Sequence, residues 1–144
     1  MKKVLAVVGG SMPSPSEINL AYKVGKLAAQ KGYIVATGGL GGVMEAASKG
    51  ARSVDGLVIG VIPFADKRYA NPYLDIVVAT GMGHARNIVL VQTADVIVAV
   101  GGSYGTLSEI AIALKEGKTV MGLGSWTIAG VVPLHNISEL DAHI

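Results

Sequence analysis

Six short apolar runs rich in β-branched residues punctuate the chain: Val4–Val8, Tyr33–Thr37, Leu57–Ile62, Ile76–Thr80, Val96–Val100 and Thr119–Leu123. Each is nearly continuous in hydrophobicity, as expected of a parallel strand covered on both faces. Stretches with helical spacing lie between most of them. In Ser16–Lys31, Ile18, Ala21, Tyr22, Val24, Gly25 and Ala28 share one side, and Glu17, Lys23, Lys26 and Lys31 take the other. Helices are also predicted over Gly42–Val54, Gly83–Ala94 and Thr106–Glu116. Gly32 and Gly117 stand just past two of these, where a left-handed cap residue belongs. The connection from Ile62 to Asp75, with Pro63, Asn71 and Pro72, reads as a surface loop.

This alternation predicts an α/β fold: a Rossmann-like, doubly wound parallel sheet of about six or seven strands in three αβα layers. Val131-Val132 is a candidate last strand, and Ser138–Asp141 has the spacing of a helix start. No linker, repeat or low-complexity segment interrupts residues 1–144, so a single domain is expected. Charged residues make up only 15% against 51% hydrophobic, which excludes intrinsic disorder. A net charge of +2 with scattered basic residues argues against a nucleic-acid partner. The absence of cysteine excludes disulfides and thiol catalysis and fits a cytoplasmic protein. Met1–Val8 runs straight into Gly9-Gly10, too short for a signal peptide and read as the first strand; no stretch is long enough for a membrane span.

Eleven of the 20 glycines stand at the ends of four predicted strands: Gly9-Gly10, Gly38-Gly39-Leu40-Gly41-Gly42, Gly81-Met82-Gly83 and Gly101-Gly102-Ser103-Tyr104-Gly105. Bare amides at helix starts make an anion cradle, so this edge is expected to take a phosphorylated ligand. The standard fingerprints fail. Met44 or Arg86 stands where a G-x-G-x-x-G motif needs its third glycine, and no Walker P-loop is present.

Three segments together resemble the LOG-like family, Rossmann-like proteins formerly labelled lysine decarboxylases. They are Thr37–Ala47, the pair Arg86-Asn87, and Gly101-Gly102-Ser103-Tyr104-Gly105-Thr106-Leu107-Ser108-Glu109, which is similar to the family's P-G-G-x-G-T-x-x-E signature. The similarity is greatest to the short branch that includes molybdenum-cofactor-carrier-like proteins. The resemblance implies hydrolysis of the N-glycosidic bond of a nucleoside 5′-monophosphate, with Arg86 and Glu109 as catalytic residues. It implies that the Gly102, Gly105 and Thr106 turn holds the phosphate; together with the glycine-rich strand ends, the candidate ligand site is Gly10, Ser11, Gly38, Gly39, Gly41, Gly42, Met82, Gly101, Gly102, Ser103, Tyr104, Gly105 and Thr106. No metal and no resident cofactor are expected. Lysine decarboxylation is not, since no lysine has the strand-end context of a pyridoxal phosphate Schiff base. The chain departs from the enzyme pattern at Gly101 (proline in the signature), Ser103 (glycine) and Asn87 (where a lysine can stand). The alternative implied function is a non-catalytic carrier or sensor of a phosphorylated cofactor such as molybdenum cofactor.

Several residues have competing roles. Thr106-Leu107-Ser108-Glu109 has the spacing of a capping box, with Thr106 as N-cap. Arg86, near a helix start, opposes the helix dipole with no acidic residue in its own helix, which favours a bound anion. Tyr104 could stack on a base or cover its loop. His84, His135 and His143 match no metal spacing. The run Ile88–Val91, apolar all round, predicts a homodimer or higher homo-oligomer.

Overall fold

The computed structural model describes all 144 residues. Seven strands form one all-parallel sheet: β1 (Val4–Gly9), β2 (Ile34–Thr37), β3 (Val58–Ile62), β4 (Ile76–Ala79), β5 (Val96–Val100), β6 (Thr119–Leu123) and β7 (Val131–Leu134). Their order is β4-β3-β2-β1-β5-β6-β7. The five helices are α1 (Pro15–Gln30), α2 (Val43–Arg52), α3 (Arg86–Thr93), α4 (Tyr104–Lys115) and α5 (Ile137–His143). No helix is long and apolar enough to cross a membrane.

The alternation of side chains along each strand separates two cores. Leu5 and Val7 pack with Ala21, Val24 and Ala28 of α1, Val43 and Ala47 of α2, and Leu140 of α5. Ala6 and Val8 face the other way, onto Leu90 and Val91 of α3 and Ile110 and Ala113 of α4. The sheet is thus doubly wound in three layers, as the strand–helix alternation predicts. Six of its strands are those read from the sequence, and Val131-Val132 opens the seventh. From β3 to β4 the chain crosses without an α-helix, through a single 3-10 turn at Lys67–Tyr69. Strand order reverses between β1 and β5, and ligand crevices of such sheets form at this switch point.

One sequence expectation is corrected. Helix α4 begins at Tyr104 with Ser103 as N-cap, so Thr106 lies inside the helix and Thr106–Glu109 is not a capping box. The capping box of this chain is at α1. Ser14 Oγ accepts from Glu17 N (3.2 Å), and Glu17 Oε1 accepts from Ser14 N (2.9 Å). In α3, Leu90 and Val91 are buried while Ile88 stands 43% exposed. The helix therefore buries one face and shows the other.

Candidate functional site

The carboxyl ends of β1 and β5 and the starts of α3 and α4 enclose a cleft of about 480 Å³. Its walls include Gly10 and Ser11 after β1, Leu40 after β2, Pro63 and Phe64 after β3, Arg86 and Asn87 of α3, and Ser103, Gly105, Thr106 and Glu109 of α4. Three of the four glycine-rich turns contribute lining backbone or a flanking side chain to this one space, and Gly83 brings in the fourth.

The start of α4 gives the cleft a wall of main chain, with Ser103, Gly105 and Thr106 in its lining. The amides of Gly102, Ser103, Tyr104, Gly105 and Thr106 donate to no acceptor of the chain. Ser103 makes no side-chain cap bond. A helix start leaves its first amides without intrahelical partners, and an anion satisfies them together with the helix dipole. Gly102 makes the turn possible: its φ is +112°, and a β-carbon there would collide with the Thr106 side chain. Thr106 Oγ1 is buried at the edge of this cradle with no hydrogen-bond partner.

Two charged side chains face the cleft. Arg86 donates from Nη1 to the carbonyls of Gly38 and of Val61, the latter at 3.0 Å. Its Nε is buried and unpartnered. Burial pulls its guanidinium below the usual range, and the Glu109 charge offsets part of this. Glu109 is 8% exposed. Burial pushes its carboxyl up to about 7, against the opposing pull of Arg86. The two feel each other's charge without closing an ion pair. The cation at the start of α3 is therefore held by two carbonyls and lies in the field of Glu109 of α4, which the sequence of α3 alone does not reveal.

The structure divides the sequence-predicted site residues into groups. Gly10, Ser11, Arg86, Ser103, Gly105, Thr106 and Glu109 line the cleft. Gly38 underlies it, since a β-carbon there would strike the Arg86 guanidinium and the Met44 sulfur. Gly39 packs on Ile62, and Gly42 on the Gly10 carbonyl. Gly41 and Met82 are exposed and outside the lining. Gly101 and Gly102 border smaller cavities beside the cleft. Tyr104 stacks on Trp126, with ring centroids 6.0 Å apart, on the outer side of the α4 start. Sequence reasoning did not single out Asn87 as a wall of the cleft. It is buried and donates to Ser108 Oγ at 3.1 Å, tying α3 to α4 across the site.

Such an arrangement offers unpaired backbone amides beside a carboxyl that burial raises to about 7. Comparison with known proteins agrees with its fold. A protein of Archaeoglobus fulgidus is 50% identical over 119 residues, covering 83% of this chain and 78% of that one. The structure of the molybdenum cofactor binding protein from the phototrophic bacterium Rippkaea orientalis superposes with a TM-score of 0.92 at 33% identity, over 99% of this chain and 98% of that one. The molybdenum cofactor carrier protein from Chlamydomonas reinhardtii gives a TM-score of 0.90 at 32% identity, over 99% and 96%. The family model described as the SLOG cluster4 family matches residues 2–140. With nearly its whole length matched, this LOG-like Rossmann chain belongs to the SLOG cluster4 family.

Proposed function

We propose that this protein is a non-catalytic carrier of an anionic, phosphorylated cofactor of the molybdenum-cofactor type. The observation that carries this reading is its end-to-end likeness to a molybdenum cofactor binding protein, at 33% identity and a TM-score of 0.92. The site supports it. Five consecutive unpaired amides, Gly102 to Thr106, suit a phosphate. Arg86 spends Nη1 on two carbonyls of its own chain and so acts first as a strut of the cleft wall. The cargo is a substrate for binding and release, not a resident group.

A second reading, hydrolysis of a nucleoside 5′-monophosphate, is favoured by one observation, the buried Glu109 carboxyl poised near 7 at the cleft. One experiment separates the two. The protein is incubated with molybdenum cofactor released from a molybdoenzyme, desalted, and assayed for bound molybdenum and for reconstitution of a cofactor-free molybdoenzyme. A parallel panel of nucleoside monophosphates is assayed for free base. Retained, transferable cofactor without base release is expected. Base release abolished by Glu109→Gln, with no cofactor retained, would replace the carrier by the hydrolase.

Thr106→Val tests the cradle. Valine keeps the shape and removes a buried hydroxyl that has no partner. Unliganded stability is expected to rise by about 1 kcal/mol. Cofactor retention is expected to fall, because this hydroxyl is buried without a partner on a residue that lines the cleft and carries one of the bare amides. Chemical denaturation and the retention assay read the two effects. Weaker retention with no gain in stability would mean that the hydroxyl has another partner. The homo-oligomer expected from the sequence would bury Ile76, Val78 and Ile88, which stand 47%, 40% and 43% exposed. Light scattering at micromolar concentration reads it.

A further inference from the structure

Beside the cleft, on the far side of Ser11 and Ser103, lies a second cavity of about 300 Å³. It adjoins a third of about 420 Å³ that reaches Trp126. Both are lined by Glu17 and Gly102, and Glu17 is the only charged residue in either lining. Ser11 and Ser103 belong to the main cleft and to the second cavity, so the two spaces share a wall at the β1/β5 switch point.

The Glu17 carboxylate is placed by two constraints. One oxygen accepts from Ser14 N at 2.9 Å, which closes the α1 capping box. The other lies against Gly101, where a β-carbon would overlap it. Gly101 has φ +55°. A proline, which the related signature carries at this place, is fixed near a φ of about −65° and would both reject this turn and displace the carboxylate. The departure of this chain from the signature therefore opens the switch point to an acidic side chain. A capping box needs only one of the roughly four acceptor sites of a carboxylate. Glu17 lines both cavities, and the remaining sites are those a ligand there would meet. Trp126, held by its indole N–H on the Ser103 carbonyl at 3.1 Å, walls the outer end.

We propose that Glu17 is a specificity-determining residue that reads the paired N–H donors of the ligand's ring, a ring amide N–H beside an exocyclic amino group, as in a pterin or a guanine. Two parallel donors meet two carboxylate oxygens, and the negative charge strengthens both bonds. Adenine offers an acceptor nitrogen beside its amino group and cannot make the pair. The phosphate then lies on the amides that line the cleft, those of Ser103, Gly105 and Thr106, while the ring crosses Ser11 toward Gly102 and Glu17. This inference rests on the cradle reading above and adds the end of the ligand that the cradle does not contact.

The test compares GMP, AMP and dihydroneopterin triphosphate by calorimetry on the parent, Glu17→Gln and Ser14→Ala proteins. Glutamine preserves the cap but places a donor where the carboxylate accepted. Ser14→Ala breaks the same capping box from its other side and leaves the carboxylate. The parent is expected to bind GMP roughly tenfold or more tighter than AMP. Glu17→Gln is expected to erase that preference at unchanged melting temperature, and Ser14→Ala to keep it. Loss in the pterin arm alone, or in the guanine arm alone, identifies which ring the site reads. Equal binding of GMP and AMP by the parent, with the pterin arm also unaffected by Glu17→Gln, overturns the inference and leaves the cradle standing. So does parallel loss in Glu17→Gln and Ser14→Ala, which would make Glu17 a cap only. No binding of any of the three by the parent sinks the cradle reading as well.

Discussion

Gly25→Ala is expected to destabilise this protein by about 2 kcal/mol, although alanine in place of glycine stabilises an exposed helix by about 1 kcal/mol. The reversal comes from how α1 meets α2. A β-carbon on Gly25 would press into the Ala47 carbonyl, and one on Gly50 into the Tyr22 carbonyl. Both obstacles are backbone, which cannot rotate away. The two helices must separate, and that unpacks Ala21, Val24 and Ala28 from Val43, Ala47 and Ala51 on one face of the sheet. Gly25→Leu is expected to prevent folding. Gly50→Ala should resemble Gly25→Ala, and the double variant should cost less than the sum because one displacement relieves both collisions. Gly105→Ala is the control: it lies in α4 with no neighbour within 4 Å of an added β-carbon, and its stability should be unchanged or higher. Urea midpoints decide the matter. A higher midpoint for Gly25→Ala would mean that the helices are not in backbone contact.

These two glycines show what the sequence conceals. Gly25 falls on the buried side of the predicted first helix, and this is legible from the 3.6 period. Its contact with a carbonyl 22 residues away is not, because helix crossing is set by packing and not by local pattern. The strands were legible because a parallel strand buried on both faces needs an unbroken apolar run. The short β7 (Val131–Leu134) was legible in part, from Val131-Val132 alone. The start of α4 was misplaced because T-x-x-E at Thr106 has the capping-box spacing. The box that forms is Ser14–Glu17, with the same spacing, Ser14 as N-cap and Pro15 as the first helical residue. The pattern was available in both places. Only the strand-to-helix geometry selects between them, since β5 delivers the chain into α4 at Ser103. Likewise, the glycine clusters correctly marked one edge of the sheet. They did not reveal which glycines line the cleft and which make room for Arg86, Ile62 or Glu17.

Glu109→Gln is expected to remove most of the pH dependence that the cleft imposes on both stability and binding. In the folded protein, burial raises the Glu109 carboxyl from about 4.5 to about 7. The folded state therefore holds this proton more tightly than the unfolded chain. Its contribution to stability is fully present below about pH 4.5 and is lost as pH rises through about 7. Above that, the buried charge costs about 3 kcal/mol relative to acid conditions. Subtracting the denaturation curves of Glu109→Gln from those of the parent isolates this group. The difference should grow toward alkaline pH, and parallel curves would show that Glu109 titrates as an ordinary carboxyl. The same titration assigns the function by its sign. A carrier binds an anion best while Glu109 is neutral, so affinity for a phosphorylated ligand should fall as pH rises through about 7, and Glu109→Gln should hold the acid-side affinity throughout. A hydrolase that uses the carboxylate to stabilise an oxocarbenium-like transition state needs the ionised form, so base release should rise through the same interval and vanish in Glu109→Gln. Arg86 cannot produce either profile, because a guanidinium stays charged across this range; His84 also lines the cleft, and a His84→Asn variant carried through the same titration separates its contribution from that of Glu109. The buried carboxyl thus makes opposite demands of the two functions, and the direction of one pH profile tells them apart.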